Sequence, residues 1–297
     1  MKFIIPLIII LFNVASAQSV GNTGLSFLKL GFGARNVALG ETGSVMSNDV
    51  TSLFYNPARL NPESKSEVIL MHNSWVQGIR SEVIGVKFNF LGLPWGFGLN
   101  STSIDDIEIR RKPGEPEGTF NSHFVFGTLA TGYSISEELS LGASIKLIYE
   151  NIWIDDANGI AFDLAANYQF NQSLSFSASL RNLGKMNKLR NESTQLPSEF
   201  RIGSSFKEKL PINDFDFAIG IEAQKYFQVD EIHLLIGSEF VYNNILALRV
   251  GYQTLYDAKN ISTGVGIIWN GLSFDYALTP MHYDLGMGHT FSIKLSF

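Results

Sequence analysis

Side chains that could bind a metal or transfer protons occur in this sequence, but without the spacing that such chemistry needs. Paired carboxylates lie at Asp105–Asp106, Glu137–Glu138 and Asp155–Asp156. Such pairs can hold a cation or share a proton. Each falls at a predicted strand end or turn, which favours a solvated turn. The first and third pairs, on the predicted outer side, are candidates for weak Ca²⁺ binding.

Metal, nucleophile and nucleotide motifs are also absent from the sequence. The histidines are scattered, without H-x-x-x-H spacing or a nearby ligand cluster, at 72, 123, 233, 282 and 289. No G-x-S-x-G elbow occurs. Gly31-Phe32-Gly33 has Asn36 where a dinucleotide fingerprint needs a third glycine, and no βαβ pattern surrounds it. We therefore expect no enzyme activity, catalytic residue, cofactor or bound metal.

The first residues predict export. Lys2 is followed by an apolar run at 3–12 and by Ala15-Ser16-Ala17, the pattern of a secretory signal cleaved after Ala17. The run is too short for a spanning helix, which needs about 20 apolar residues. We predict a signal peptide at 1–17 and a mature protein that begins at Gln18.

Composition favours an outer-membrane barrel of a Gram-negative bacterium. The chain has no Cys, is 12% aromatic and only 17% charged, and carries a formal net charge of −6 without basic blocks. No disulfide or thiolate metal site is available, and a nucleic-acid partner is not expected. Exported, Phe-rich chains without long apolar helices are typical of β-barrels, whose lipid-facing residues are apolar at every second position. Outer-membrane lipid is therefore one expected partner.

The final segment shows this alternation most clearly. Phe291, Ile293, Leu295 and Phe297 share one face of a strand, and polar residues occupy the other. The same period predicts an all-β fold, an antiparallel transmembrane barrel of about fourteen strands. The predicted strands are 65–73, 81–90, 95–104, 122–133, 139–151, 160–170, 174–183, 198–207, 214–224, 232–242, 245–253, 261–269, 272–280 and 288–297.

The connections between these strands alternate in length. Even-numbered connections are short, and Asn270-Gly271 is a type I′ turn signal. Odd-numbered connections are longer or more polar, above all 105–121 and 184–197. Barrels of this class have short periplasmic turns and longer outer loops, so both termini are predicted to be periplasmic.

The stretch from Phe27 to Leu60 does not alternate. Its glycines suggest tight turns, and 49–55 is predicted to form one or two helical turns capped by Asn48 or Asp49 and closed by Pro57. A lumen of fourteen strands is wider than side chains alone can fill. We predict that 18–63 is a hatch or plug and that 64–297 is the barrel.

The same stretch resembles the N-terminal signature of the PorV/PorQ family, outer-membrane barrels of the FadL-like fold associated with type IX protein secretion. The matching residues are Phe27-Leu28, Gly33-Ala34-Arg35, Ala38-Leu39-Gly40, Asp49 and Asn56-Pro57-Ala58. The ending, from Phe274-Asp275-Tyr276-Ala277 through Leu285-Gly286 to Phe297, resembles the last two strands of that family.

The resemblance implies a 14-stranded barrel with an N-terminal hatch and a non-enzymatic accessory role. Its partners would be a secretion translocon or cargo proteins attached at the cell surface. More distant FadL-like relatives imply the alternative, a channel for uptake of hydrophobic small molecules. This chain is shorter than typical secretion members, a departure that counts against cargo reception.

Charged residues of the hatch are the remaining site candidates. The predicted hatch motif comprises Arg35, Gly40, Glu41, Asp49, Asn56, Pro57 and Ala58. Its charges would need partners on the lumen wall, because an unpartnered charge away from water is costly. The predicted lumen-lining charges are Lys87, Lys146, Asp163, Arg201, Arg249, Asp275 and Lys294. Such pairs would form either a latch that lets the hatch move or a permanent fastening, and the sequence favours the fastening.

Overall fold

Fourteen antiparallel strands form a closed barrel in the computed structural model, which describes residues 24–61, 63–210 and 214–297. Each barrel strand pairs with its sequence neighbours, and the first pairs with the last to close the ring. The predicted signal peptide at 1–17 lies outside the described residues. The fourteen barrel strands are β1 (Glu67–Ser74), β2 (Ile79–Phe90), β3 (Leu93–Ile109), β4 (Gly118–Ser134), β5 (Leu139–Ile152), β6 (Asp155–Gln169), β7 (Leu174–Met186), β10 (Glu199–Leu210), β11 (Phe215–Tyr226), β12 (Ile232–Tyr242), β13 (Leu246–Gln253), β14 (Ile261–Trp269), β15 (Leu272–Pro280) and β16 (Met287–Ser296). Two short strands, β8 (Lys188–Leu189) and β9 (Glu192–Ser193), form a separate two-stranded sheet.

Side chains alternate between the two faces of the wall as predicted. In β13, Leu248 and Val250 are exposed, whereas Arg249 and Gln253 are buried. In β16, Phe291 and Ile293 are exposed on the predicted outer face. The all-β fold and the fourteen-strand count are thus confirmed.

Three predicted connections are partly strand instead. β3 and β4 continue as a hairpin well into 105–121, so Asp105 and Asp106 lie within β3 at a bulge rather than in a loop. β5 and β6 are separated only by Trp153 and Ile154, so the predicted rule that odd connections are longer is wrong there. In the loop predicted at 184–197, β7 continues to Met186 and β8 pairs with β9. Backbone pairing continues through these polar residues because ladder hydrogen bonds do not depend on side-chain polarity.

Short even connections are confirmed where they are described. Leu91 and Gly92 join β2 to β3, and Asn270 and Gly271 join β14 to β15. Asn270 has φ 49° and Gly271 has φ 84°. Both values are positive, as a type I′ turn requires.

The N-terminal segment, defined here as residues 24–61, consists of short helical turns. Its α-helices are α1 (Ala34–Ala38), α2 (Gly43–Met46) and α3 (Ser52–Tyr55), and 3₁₀ turns lie at Ser26–Lys29 and Pro57–Arg59, with a further one at Val76–Gly78 after β1. None of the helices among the described residues is long and apolar enough to cross a membrane.

The helix predicted within 49–55 is present as α3, but its start differs from the prediction. Thr51 precedes it without a side-chain cap, and Asp49 instead accepts hydrogen bonds from the N–H and the hydroxyl of Thr51. Asn56 is extended, with φ −154°, and ends the helix before Pro57 as predicted.

The N-terminal segment lies inside the ring of strands, because its elements contact the wall on all sides. α1 contacts β13 to β16, α2 contacts β7, β10 and β11, α3 contacts β3 and β4, and the turn at Pro57–Arg59 contacts β4 to β6. Most of the segment from Leu25 to Leu60 is buried.

Candidate functional site

The interface between the N-terminal segment and the inner wall is the candidate functional site, and its first part is an alternating chain of buried charges. The Arg35 guanidinium donates to both carboxylate oxygens of Glu239, at 2.9 and 2.7 Å. Arg249 donates to Glu239 at 2.6 Å and to Asp275 at 2.7 Å. Two cations thus alternate with two carboxylates, so no charge is left without a partner when α1 is in place.

A second ion pair holds the loop before α3. Asp49 Oδ2 lies 2.7 Å from the Lys294 ammonium on β16. Nearby, Glu67 accepts a hydrogen bond from the Val50 N–H at 2.6 Å and lies 3.3 Å from Lys87. The segment is therefore fastened to the first and last strands, where the barrel closes.

Glu41 is held differently from the prediction, which expected a charged partner. Its Oε2 accepts the Tyr55 hydroxyl at 2.6 Å, and among the described residues its carboxylate forms no ion pair. Arg201 instead donates to the Glu41 backbone carbonyl at 2.9 Å. Burial, and then the negative charge of Glu41, raise the pKa of Tyr55, so Tyr55 stays a neutral donor.

Glycines let the backbone of the segment touch the backbone of the wall. Gly40 has φ 64°, donates to Ser262 Oγ at 3.2 Å and accepts from Gln253 at 3.0 Å. A Cβ on Gly251 of β13 would lie 2.0 Å from Gly40 N. Direct backbone contact at this point is possible only because both residues lack a side chain.

The predicted Asn56-Pro57-Ala58 motif forms the turn at the other end of the segment. The Asn56 amide donates to Ser44 O at 2.9 Å and its oxygen accepts the Ala58 N–H at 3.0 Å, so one side chain ties together α2 and the following 3₁₀ turn. A Cβ on Gly142 of β5 would lie 2.1 Å from Ala58 N. This turn therefore packs directly against the wall.

An apolar patch lies elsewhere on the lumen wall, where aromatic rings of the segment pack. Phe32 stacks on Phe54 with ring centroids 4.6 Å apart and meets Phe126 of β4 edge-on at 5.7 Å. Phe27 stacks on Phe124 at 5.2 Å. Apolar residues of the wall pack around these rings and define the apolar patch: Met71, Val83, Phe126, Ala130, Ile148, Ala157, Ala161 and Met186. The buried Lys146–Asp163 ion pair, at 2.7 Å, lies on β5 and β6 beside this patch.

The lumen charges were predicted from the sequence, but the apolar patch was not. All seven predicted lumen charges lie on the inner face; six are buried and Lys294 is partly exposed. The patch could have been found by asking which inward positions are not polar, such as Ala130 and Ile148. The buried Arg181, Glu199 and Glu222 were also missed, although each occupies an inward position of its strand.

The acidic pairs and histidines are not brought together. Asp105 lies 4.0 Å from Arg80, and the His72 ring is 2.6 Å from Glu82 on the outer wall. In the part of the chain that the structure describes, no three His, Asp or Glu side chains are grouped as metal ligands.

The Asp49–Lys294 pair predicts how docking of the segment depends on pH. Burial alone would raise the Asp49 pKa, but the charges of Lys294 and Arg35 hold it well below its usual value. A carboxylate whose pKa is lowered by folding stabilises the folded state at pH values above its unfolded pKa of about 3.9. This stabilisation is lost as the pH falls towards the pKa in the folded state. We expect unchanged docking from about pH 5 to 8 and weakening below about pH 4.

Hydrogen exchange of residues 49–55, corrected for the pH dependence of intrinsic exchange, measures this effect. Asp49→Asn is the control and should remove this pair's share of the acid sensitivity. Equal protection at about pH 3 and pH 7 would contradict the expectation.

Comparison with known proteins supports the fold alone. No family model matches the chain, and no curated protein matches it. Among solved structures, the Ralstonia pickettii toluene transporter TbuX has a TM-score of 0.62 at 14% identity, over 90% of this chain and 98% of that one. The Pseudomonas putida toluene transporter TodX gives 0.61 at 14%, over 89% and 96%. The CymD monoaromatic hydrocarbon channel gives 0.60 at 12%, over 93% and 99%.

Proposed function

We propose that this barrel, which shares its fold with hydrocarbon transporters, is a non-enzymatic outer-membrane channel for hydrophobic small molecules. In this proposal, residues 1–17 direct export, 18–63 form a plug and 64–297 form the conducting wall. The family resemblance favoured an accessory role in type IX-like secretion. That role stays a prediction, because neither a family model nor a curated relative supports it.

The observation that carries the proposal is the apolar patch on the lumen wall, against which aromatic rings of the N-terminal segment pack. A water-filled porin has a polar interior, which is a poor path for a hydrocarbon. Here the inner wall of β4 to β6 presents Phe126, Ala130, Ile148 and Ala161. An apolar solute could follow this surface without the cost of entering water.

The plug occupies this apolar surface with its own aromatic rings. Phe27, Phe32 and Phe54 cover the wall where a one-ring solute would pass, and all three are almost fully buried. Ion pairs with the wall fasten the other side of the plug through Arg35 and Asp49. Passage therefore requires the rings to shift, with the ion pairs limiting how far the plug moves.

Uptake of labelled toluene by cells tests the proposal. We expect a gene-deletion strain to lose uptake and the wild-type gene to restore it. Ala130→Asp, which places a carboxylate in the apolar patch, should not restore it, because an unpaired charge there disrupts the apolar path. Folding of that variant is checked by the heat-dependent shift of its band on a denaturing gel.

Two measurements exclude indirect effects. Uptake of a small sugar should not change in the deletion strain, which controls for general leakiness of the membrane. The surface proteome should also not change. Normal toluene uptake together with lost surface proteins would overturn the channel and favour the secretion role.

A further inference from the structure

Glu150, on the inner face of β5, is a buried carboxylate without a basic partner. The residue is 3% exposed, and among the described residues it forms no ion pair. Seven other buried carboxylates each have a Lys or Arg partner: Asp49, Glu67, Asp163, Glu199, Glu222, Glu239 and Asp275. Because a buried charge without a partner is costly, this exception points to a role other than fastening the structure.

A single hydrogen bond reaches this carboxylate. Thr194, in the connection between β9 and β10, donates its hydroxyl to Glu150 Oε2 at 2.8 Å. Within the described part of the chain, Oε1 accepts no hydrogen bond. An ionised carboxylate can accept about four hydrogen bonds, so most of this capacity is unused.

Apolar side chains surround the carboxylate. Phe124 of β4 lies directly opposite Glu150 in the strand register, and Ala157 of β6 lies opposite it on the other side. Ile148 is two positions earlier on the same face of β5. Ala157 and Ile148 belong to the apolar patch, and Phe124 packs against it. Glu150 therefore lies at the edge of this patch.

Two other parts of the chain cover this edge. Phe27 of the N-terminal segment stacks on Phe124 with ring centroids 5.2 Å apart. Leu196, two residues after Thr194, is buried in the same apolar cluster. Glu150 is two residues before the end of β5, on the side predicted to face outwards. A solute that enters from this side would meet the carboxylate before the deeper part of the patch.

A carboxylate beside aromatic rings is the chemical complement of an ammonium group. An ammonium group has hydrogen-bond donors for the unused acceptor positions, and its charge is attracted to the face of a nearby ring. A neutral donor would leave the negative charge unbalanced. An apolar ring on the same molecule would in turn pack against the apolar wall.

We propose that the edge of the apolar patch binds one-ring aromatic amines, with the ammonium group on Glu150 and the ring against the wall. The ammonium would donate to Oε1, beside the bond from Thr194 to Oε2, and would lie near the Phe124 ring. This inference rests on the proposed function and deepens it, because it names a class of solute that the channel would select at its entrance.

Calorimetric titration of the purified protein in a non-ionic detergent, which has no ammonium group of its own, tests the proposal. Benzylamine, which is protonated at about pH 7, is expected to bind. Benzyl alcohol has the ring with a neutral donor, and methylamine has the charge without the ring. Both are expected to bind at least about tenfold more weakly than benzylamine.

Glu150→Gln should weaken benzylamine binding about tenfold or more, because the amide keeps the size of the side chain without its charge. Toluene uptake should not change, since toluene has no group that binds a carboxylate. Glu192→Gln, which changes an exposed carboxylate of β9 in the same connection as Thr194, is the matched control and should bind benzylamine like the wild type. If Glu150→Gln does not fold, the comparison of the three ligands on the wild type still decides.

Several outcomes would overturn the proposal. These are equal binding of benzylamine and benzyl alcohol, equal binding of benzylamine and methylamine, or an unchanged affinity of a folded Glu150→Gln variant. Toluene uptake distinguishes this failure from failure of the channel itself. Absent benzylamine binding with normal toluene uptake overturns only the amine site, and bound benzylamine without toluene uptake overturns only the hydrocarbon channel.

Discussion

Gly251→Val is expected to displace the plug and to raise the conductance of the barrel in planar bilayers. A Cβ at this position would lie 2.0 Å from Gly40 N and 2.5 Å from Gly40 Cα. Both atoms belong to the backbone, so no side-chain rotation relieves the clash. Overpacking of this kind costs about 1–3 kcal/mol. At 1.4 kcal/mol per factor of ten, the ratio of displaced to docked plug should rise about 5- to 140-fold.

The wall itself should tolerate this change, because Val is a good strand residue and the clash is with the plug rather than with another strand. Gly142→Val tests the same idea from the other end, since a Cβ there meets Ala58 N at 2.1 Å. Gly118→Val is the matched control, because its nearest contact is Ile109 Cδ1 at 4.0 Å. Conductance of folded Gly251→Val and Gly142→Val at the level of Gly118→Val would show that the plug does not occlude the lumen.

Arg35→Gln is expected to have the second largest effect, by loosening the plug without adding bulk. It removes one of the two cations that share Glu239. Breaking a buried ion pair costs about 3–5 kcal/mol, and the remaining contact from Arg249 places this case at the lower end. We expect more frequent channel openings and faster exchange of the amides of residues 34–46, while the barrel unfolds at an unchanged temperature.

Arg35→Lys separates the charge of this residue from its two-pronged geometry. A lysine keeps the charge but cannot bind both carboxylate oxygens as Arg35 does, so an intermediate effect is expected. Arg110→Gln, which breaks an exposed pair with Glu108, is the control and should change nothing measurable. Openings at the wild-type rate, or a lower unfolding temperature without more openings, would favour the permanent fastening over the latch.

Much of the wall could be read from the sequence because its physical rule is local. Successive residues of a strand face opposite sides, so the position of Arg249 between Leu248 and Val250 already indicates that it faces the lumen. Errors arose where polar residues continue a strand. Asp105 and Asp106 read as a loop, but they form a bulge within a long hairpin that extends the wall.

Partners of the charged residues in the N-terminal segment could not be read in the same way. Arg35 and Glu239 are far apart in the sequence, and so are Asp49 and Lys294. Glu41 is the clearest case of a partner that could not be identified from the sequence. A charged partner was expected from the cost of burying a carboxylate, yet the carboxylate accepts a hydrogen bond from the hydroxyl of Tyr55. Which donor reaches Glu41 depends on how α2 and α3 pack.

By itself, the sequence determined that this chain forms a barrel of fourteen strands, which positions face inward, and that the stretch from Phe27 to Leu60 is not part of the wall. These features follow from period-two alternation and turn chemistry, which act over a few residues. Only the tertiary structure decided where that stretch lies against the wall and that its rings cover an apolar patch of the lumen. Those features depend on backbone contacts such as Gly40 with Gly251, which form only when distant parts of the chain are brought together.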